Sequence, residues 1–194
     1  MPTQAERTEA TRGRLIATAR RLFAEKGFAA TSTEEILAEA EVSRGAMYHH
    51  FSSKTDLFRA TFEAVEDELT AKLLAVATAG GETDPVKILE LGFNAFLDQC
   101  DNPEVQRIVM LDAPTVLGWD TWHELDERYA FGTIRAVLAV AAETGRVDAD
   151  AVDSLTHLLV GAVMQAGMVV ARADDAGTAK RRMTESFALL VSTI

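Results

Sequence analysis

The stretch VSRGAMYHHFSSK, residues 42–54, gathers Ser43, Arg44, Tyr48, His49, His50 and Lys54 around a position with no side chain, Gly45, and a small one, Ala46. Hydroxyls, imidazoles, a guanidinium and an ammonium are donors, and donors in this density suit recognition of an oxygen-rich anion rather than bond-making. An arginine bonds the edge of a guanine bidentately and discriminates bases by about 1–3 kcal/mol. Hydroxyls, rings and ammonium groups hold phosphate oxygens instead. Gly45 bares the backbone where a partner has to come close.

A second set, Asp112, His123 and Asp126, has the residue types of acid–base chemistry. No serine or cysteine nucleophile pattern, phosphate loop or metal motif accompanies it, so the chain does not read as an enzyme and no catalytic residue is assigned. The four histidines, 49, 50, 123 and 157, lack the paired spacing of metal ligands. No metal and no cofactor is expected. Cys100 is the one cysteine; it excludes an internal disulfide, fits a reducing cytoplasm, and reads as a core thiol.

These groups need elements to carry them. Leu15, Ile16, Ala19, Leu22 and Phe23 recur at helical spacing before Gly27, predicting a first helix from Thr8 or Thr11 to Lys26. Ser32 followed by Glu35 has capping-box spacing, so a second helix spans about 33–40. A third spans about 43–51, and a fourth about 53–78. Gly80-Gly81 marks a linker. Five more helices follow at about 84–100, 103–112, 119–144, 150–173 and 176–193. The chain is all-α with about nine helices.

Charge divides the chain. Residues 1–54 hold 8 Lys/Arg and 7 Asp/Glu, net 8 − 7 = +1, whereas the other 140 hold 11 and 23, net −12. The overall −11 argues against a polyanionic partner, but the first part is free to meet one. No signal core is present at the N-terminus. The longest apolar run, 158–171, is too short to span a bilayer. No membrane is expected, and the protein reads as cytoplasmic.

Helices 33–40 and 43–51, joined by about three residues, have the dimensions of a helix-turn-helix, whose second helix enters the DNA major groove tip first. Ser43, Arg44, Gly45 and Ala46 then lie at the tip, with Tyr48, His49, His50, Lys54 and Thr33 as phosphate contacts.

The run RLIATARRLFAEKGFAATSTEEILAEAEVSRGAMYHHFSSKTDLF, residues 14–58, resembles the tetracycline-repressor (TetR) family of bacterial transcriptional regulators. The resemblance implies a flexible tail at 1–10, a helix-turn-helix DNA-binding domain at 11–56, and a helical regulatory and dimerisation domain at 57–194, joined by helix 4. It further implies a homodimer on double-stranded palindromic operator DNA, most simply a repressor, released by a small, mostly apolar effector of unknown identity. An activator, a ligand-independent regulator, or a ligand-binding module with weakened DNA binding are the alternatives. Two positions depart from the family pattern: Glu41 replaces the turn glycine, and Leu37 replaces a small residue. Either the motif accommodates both with an altered crossing angle, or its DNA affinity is modest.

In the larger part, Phe93, Phe96, Met110, Trp119, Trp122, Tyr129, Met164 and Met168 are either core or the lining of the cavity that the resemblance implies. The last two helices are apolar on more than one side, which requires burial on more than one side. Leu155, Leu159, Ala162, Val163, Ala166 and Val170, with Met183, Phe187 and Leu190, are the expected homodimer interface.

Overall fold

Thr3 starts the first helix with reciprocal bonds: its hydroxyl accepts the Glu6 N–H at 3.2 Å, and the Glu6 carboxylate accepts the Thr3 N–H at 2.6 Å. This box satisfies two donors at the helix end, so α1 spans Gln4–Lys26. Residues 4–10, expected as a flexible tail, are instead its first turns. The computed structural model describes residues 3–192 and 194; residues 1 and 2 of that tail, and the expected last-helix end at 193, lie outside the described residues.

Gly27 ends α1 at φ 80°, a conformation that glycine adopts without strain. α2 (Thr33–Ala40) begins at Ser32, whose hydroxyl accepts the Glu35 N–H, and α3 (Arg44–His50) begins at Ser43, which accepts from Ala46. α4 (Lys54–Ala77) follows. Then come α5 (Pro85–Leu97), a π-helical run Val105–Asp112, α6 (Ala113–Val116), α7 (Trp119–Asp126), α8 (Ala130–Glu143), α9 (Val152–Ala171) and α10 (Ala176–Val191). No strand occurs among the described residues.

The helix expected over 119–144 is two helices. Asp126 is buried and takes the Phe131 N–H in the first turn of α8. The chain folds back so tightly that a Cβ on Gly132 would lie 2.1 Å from the Glu127 carbonyl oxygen. Only glycine fits there, and Gly132 is the signal for the break. The π-helical run ends with Ala113 donating to the carbonyl of Ile108, five residues back, just before Pro114, which has no N–H to continue an α ladder.

The chain forms two compact units. One holds the residues up to Glu66 together with Pro103–Trp122; the other holds Asp67–Asn102 with His123–Ile194. The compact units thus follow contacts rather than chain order, because 103–122 packs with α1. The core of the first unit joins Leu15, Leu22, Phe23, Ile36, Met47, Leu57 and Phe58, all fully buried. Phe23, Phe28 and Phe58 meet with ring centroids 5.2–5.7 Å apart.

In the second unit α5, α8, α9 and α10 pack together. Phe93 lies flat on Phe187 at 3.9 Å, and the Thr184 hydroxyl donates to Asn94 Oδ1 at 2.5 Å. Ala149–Ala171 is long and apolar enough to cross a bilayer by length and composition alone, which the 14-residue run 158–171 by itself is not. Its apolar stripe has another use here: Leu159, Val163, Ala166 and Val170 are buried in the unit's own core.

Candidate nucleic-acid interface

Met47 anchors α3, fully buried, and Val42 and Phe51 are buried on either side of that helix. With that face fixed inward, helical periodicity turns Arg44, Gly45, Tyr48 and His49 outward, and all four are exposed. Tyr48 is 49% exposed, a large ring left in water. Ala46, His50 and Thr33 are half-buried, Thr33 being the first residue of α2. The His49 and His50 rings meet edge-on at 5.4 Å, and His50 leans on Phe51 at 6.3 Å.

Ser43 has its hydroxyl occupied by the Ala46 N–H at 3.2 Å, so it shapes the helix tip as its cap. Gly45 is in helical conformation, and nothing lies within 4 Å of the position a Cβ would take. The turn closes through Glu41 at φ 53° and ψ 44°, and Val42 N–H donates to the Leu37 carbonyl at 3.1 Å. A non-glycine residue in this region is strained by about 1–2 kcal/mol. Leu37 finds its room half-buried at the edge of the motif.

Arg44 forms an ion pair with Glu34 across the turn. The Glu34 carboxyl is held below its usual range, first by the N–H of its own backbone and then by Arg44. Both side chains are exposed, so the pair is weak and Arg44 is presented rather than locked.

Lys54 departs from the expectation of a phosphate contact. Its ammonium donates to the carbonyls of Phe28 and Thr31, each at 2.9 Å, and sits 4.0 Å above the Phe28 ring. Burial lowers its pKa. A lysine at the start of α4 faces the positive end of the helix dipole, and the carbonyls of Phe28 and Thr31 draw it inward.

Sequence reasoning missed what grips that loop from the other side. The Phe28 N–H donates to the Asp112 carboxylate at 2.7 Å, Arg107 donates to the Lys26 carbonyl at 3.1 Å, and Arg20 pairs bidentately with Glu104 at 2.7 and 2.8 Å. Asp112, weighed above for acid–base chemistry, is thus a structural acceptor. Its two companions, His123 and Asp126, belong to the second unit. Burial pushes Asp126 up to about 6, against a smaller opposing pull from His123. His123 stacks on His157 at 5.5 Å. Cys100 is buried, its thiol pushed up to about 12 chiefly by burial, with Sγ donating to the Phe96 carbonyl.

Of the expected cavity residues, Phe93, Phe96, Met110, Trp122 and Tyr129 are buried, and Met164 and Met168 are half-buried. Trp119 stands 67% exposed, tilted against Trp122 at 5.2 Å. The expected dimer residues need correction. Leu159, Val163, Ala166, Val170 and Phe187 are buried within the single chain, Leu155, Ala162 and Met183 are half-buried, and of these nine only Leu190 is exposed. The outward stripe of α9 is Leu158, Gly161, Gln165 and Val169, and on α10 it is Leu189 with Leu190. Periodicity marks two apolar stripes on α9; packing decides which one faces out.

A family model described as "Tetracyclin repressor-like, C-terminal domain" matches residues 86–194, and one described as "Bacterial regulatory proteins, tetR family" matches residues 15–61. The chain is 29% identical over 158 residues to the transposon Tn10 TetC protein of Escherichia coli, covering 81% of this chain and 79% of that one. It is 37% identical over 117 residues to the HTH-type transcriptional regulator CymR of Pseudomonas putida, covering 59% and 58%. Among solved structures, a TetR-family transcriptional regulator from Pectobacterium atrosepticum superposes with a TM-score of 0.74 at 31% identity, covering 97% of this chain and 95% of the other.

Proposed function

Because the chain belongs to the TetR family of bacterial transcriptional regulators, we propose that it is a repressor that holds a palindromic operator as a homodimer and releases it when a small, mostly apolar effector binds. In this reading Arg44 leaves Glu34 for a guanine edge. Thr33, Tyr48, His49 and His50 hold phosphates, while Ser43, Gly45 and Ala46 keep the tip of α3 narrow. Lys54 holds the α1–α2 loop in place. The protein works in the cytoplasm, where a bacterial operator lies.

The observation that carries this reading is Gly45. A glycine inside a helix costs about 1 kcal/mol relative to alanine, and this one has no internal neighbour and no positive φ to require it. Close approach of an outside backbone is the remaining use. The closed turn at Glu41 favours a working motif over one with weakened DNA binding. Dimerisation through Leu158, Gly161, Gln165 and Val169 of α9 with Leu189 and Leu190 of α10 would cover apolar surface that a single subunit leaves in water. Phe93, Phe96, Tyr129, Met164 and Met168 are the second-unit side chains that suit an apolar effector.

The test is selection of duplexes from random sequence by the full-length protein. A palindrome with half-sites about 34–36 Å apart is expected, and Arg44→Ala should relax base preference at one position per half-site. Recovery of no preferred sequence would sink the reading. A reporter under the selected operator then separates repression from activation.

A further inference from the structure

The ten cations of the first unit fall into two groups. Seven are engaged by a carboxylate or a backbone carbonyl within the unit: Arg20 with Glu104, Arg21 with Glu25 and Glu39, Lys26 with Glu35, Arg44 with Glu34, Arg59 with Glu63, and Lys54 and Arg107 with backbone carbonyls. The other three, 10 − 7, are Arg7, Arg12 and Arg14. No carboxylate pairs with any of their guanidinium groups among the described residues.

All three lie on the first turns of α1. No residue from Gln4 to Arg14 is fully buried; the core begins at Leu15. This arm of eleven residues, about 16 Å long at 1.5 Å per residue, is therefore ordered by its capping box and by helix continuity, with no core burial of its own. Of its two acids, Glu6 is tied to Thr3 in that box, and Glu9 follows Arg7 by two residues, which places it on a different face. Arg7 and Arg14, seven apart, share a face. Arg12 lies 5.5 Å over the ring of Phe51, the residue that caps the C-terminus of α3, so the arm is continuous with the reading helix. Gly13, between two of the arginines, is exposed with nothing within 4 Å of a Cβ position, the same condition as Gly45 beside Arg44.

We propose that the N-terminal arm of α1 is a second DNA-contacting strip, with Arg7 and Arg14 gripping backbone phosphates flanking the half-site read by α3. The inference rests on the DNA-binding reading above and adds a sequence-independent grip to it. Arg12 ties the arm to the reading helix, while Arg7 and Arg14, with no carboxylate partner among the described residues, stand on another face and are complementary to a phosphate backbone; arginine matches phosphate geometry through paired N–H donors.

The probe is a duplex selected from random sequence by the full-length protein, titrated between about 50 and 200 mM salt. The double variant Arg7→Gln/Arg14→Gln should bind more weakly and flatten the slope of log K against log salt by about 0.9 for each arginine lost per bound subunit. Its base preference should stay that of the wild type. Arg7→Lys/Arg14→Lys should restore the slope. Helical content by circular dichroism should not change, since neither guanidinium pairs with a carboxylate among the described residues. A double variant with wild-type slope and affinity overturns the arm contact while leaving DNA binding standing. A wild-type protein that selects no duplex overturns both.

Discussion

The backbone N–H of Phe28 donates to the Asp112 carboxylate at 2.7 Å across 84 residues of sequence, while the Phe28 carbonyl accepts the Lys54 ammonium at 2.9 Å. One residue is thereby held on both sides, its N–H by the end of the π-helical run and its carbonyl by the start of α4. The loop it belongs to leads into α2. Any displacement of Asp112 has a direct route to the reading motif through a charge-assisted hydrogen bond, stronger than a neutral one.

Asp112→Ala leaves the Phe28 N–H without its acceptor in a half-buried place. The expected loss is about 1–3 kcal/mol of stability, read as a lower urea midpoint, together with weaker operator binding. Asp112→Asn keeps an acceptor and should lose less. Equal stability of Asp112→Ala and wild type would contradict this role.

Lys54→Ala removes two hydrogen bonds to loop carbonyls. A drop of about 1–3 kcal/mol in unfolding free energy is expected, with the salt slope of DNA binding nearly unchanged. A phosphate contact would do the reverse, flattening the slope by about 0.9 at little cost in stability. Denaturant melts and a salt titration on the same variant decide between the two.

Glu41→Gly relieves a side chain at φ 53°. Relief of about 1–2 kcal/mol is partly offset by the greater freedom of glycine in the unfolded chain. The net expectation is a gain of up to about 1 kcal/mol, measured by urea unfolding.

Asp126 gives the second unit a pH dependence. Its folded pKa, about 6, is raised from 3.8 chiefly by burial. The protonated form is favoured by folding, so this contribution is fully present below pH 3.8 and is lost as pH rises through about 6. Comparing wild type with Asp126→Asn isolates it from carboxylates shifted the other way, such as Glu35 and Asp84. The wild type should lose stability relative to the variant between about pH 4 and 7; parallel profiles would refute the burial argument.

Leu158 is 70% exposed and Leu189 75%. Leu158→Arg should yield a folded monomer by sedimentation, with operator affinity lost because both half-sites no longer bind together. Leu159→Arg, in the subunit core, should fail to fold instead. If Leu158→Arg remained dimeric, the outward stripe of α9 would not be the interface.

What the amino-acid order determined by itself was the reading motif. Ser32, Ser43 and Gly27 set the limits of α1, α2 and α3 through bonds reaching three or four residues, so α2 and the start of α3 were legible without a fold. The exposure of Arg44, Gly45, Tyr48 and His49 followed from the one buried face of a short helix. The start of α1 was not read, although Thr3 and Glu6 carry capping-box spacing, because residues 4–14 hold no large apolar side chain to show a helical stripe. Tertiary structure decided everything that depended on a distant partner. Lys54 faces a loop 23 to 26 residues away rather than outward, Asp112 holds Phe28, and 103–122 joins the unit of α1. The inward stripe of α9 was likewise decided by its packing, because two apolar stripes on one helix are equivalent until a neighbour buries one. Local bonds are written in spacing; the choice among faces is made by whichever contact excludes the most water.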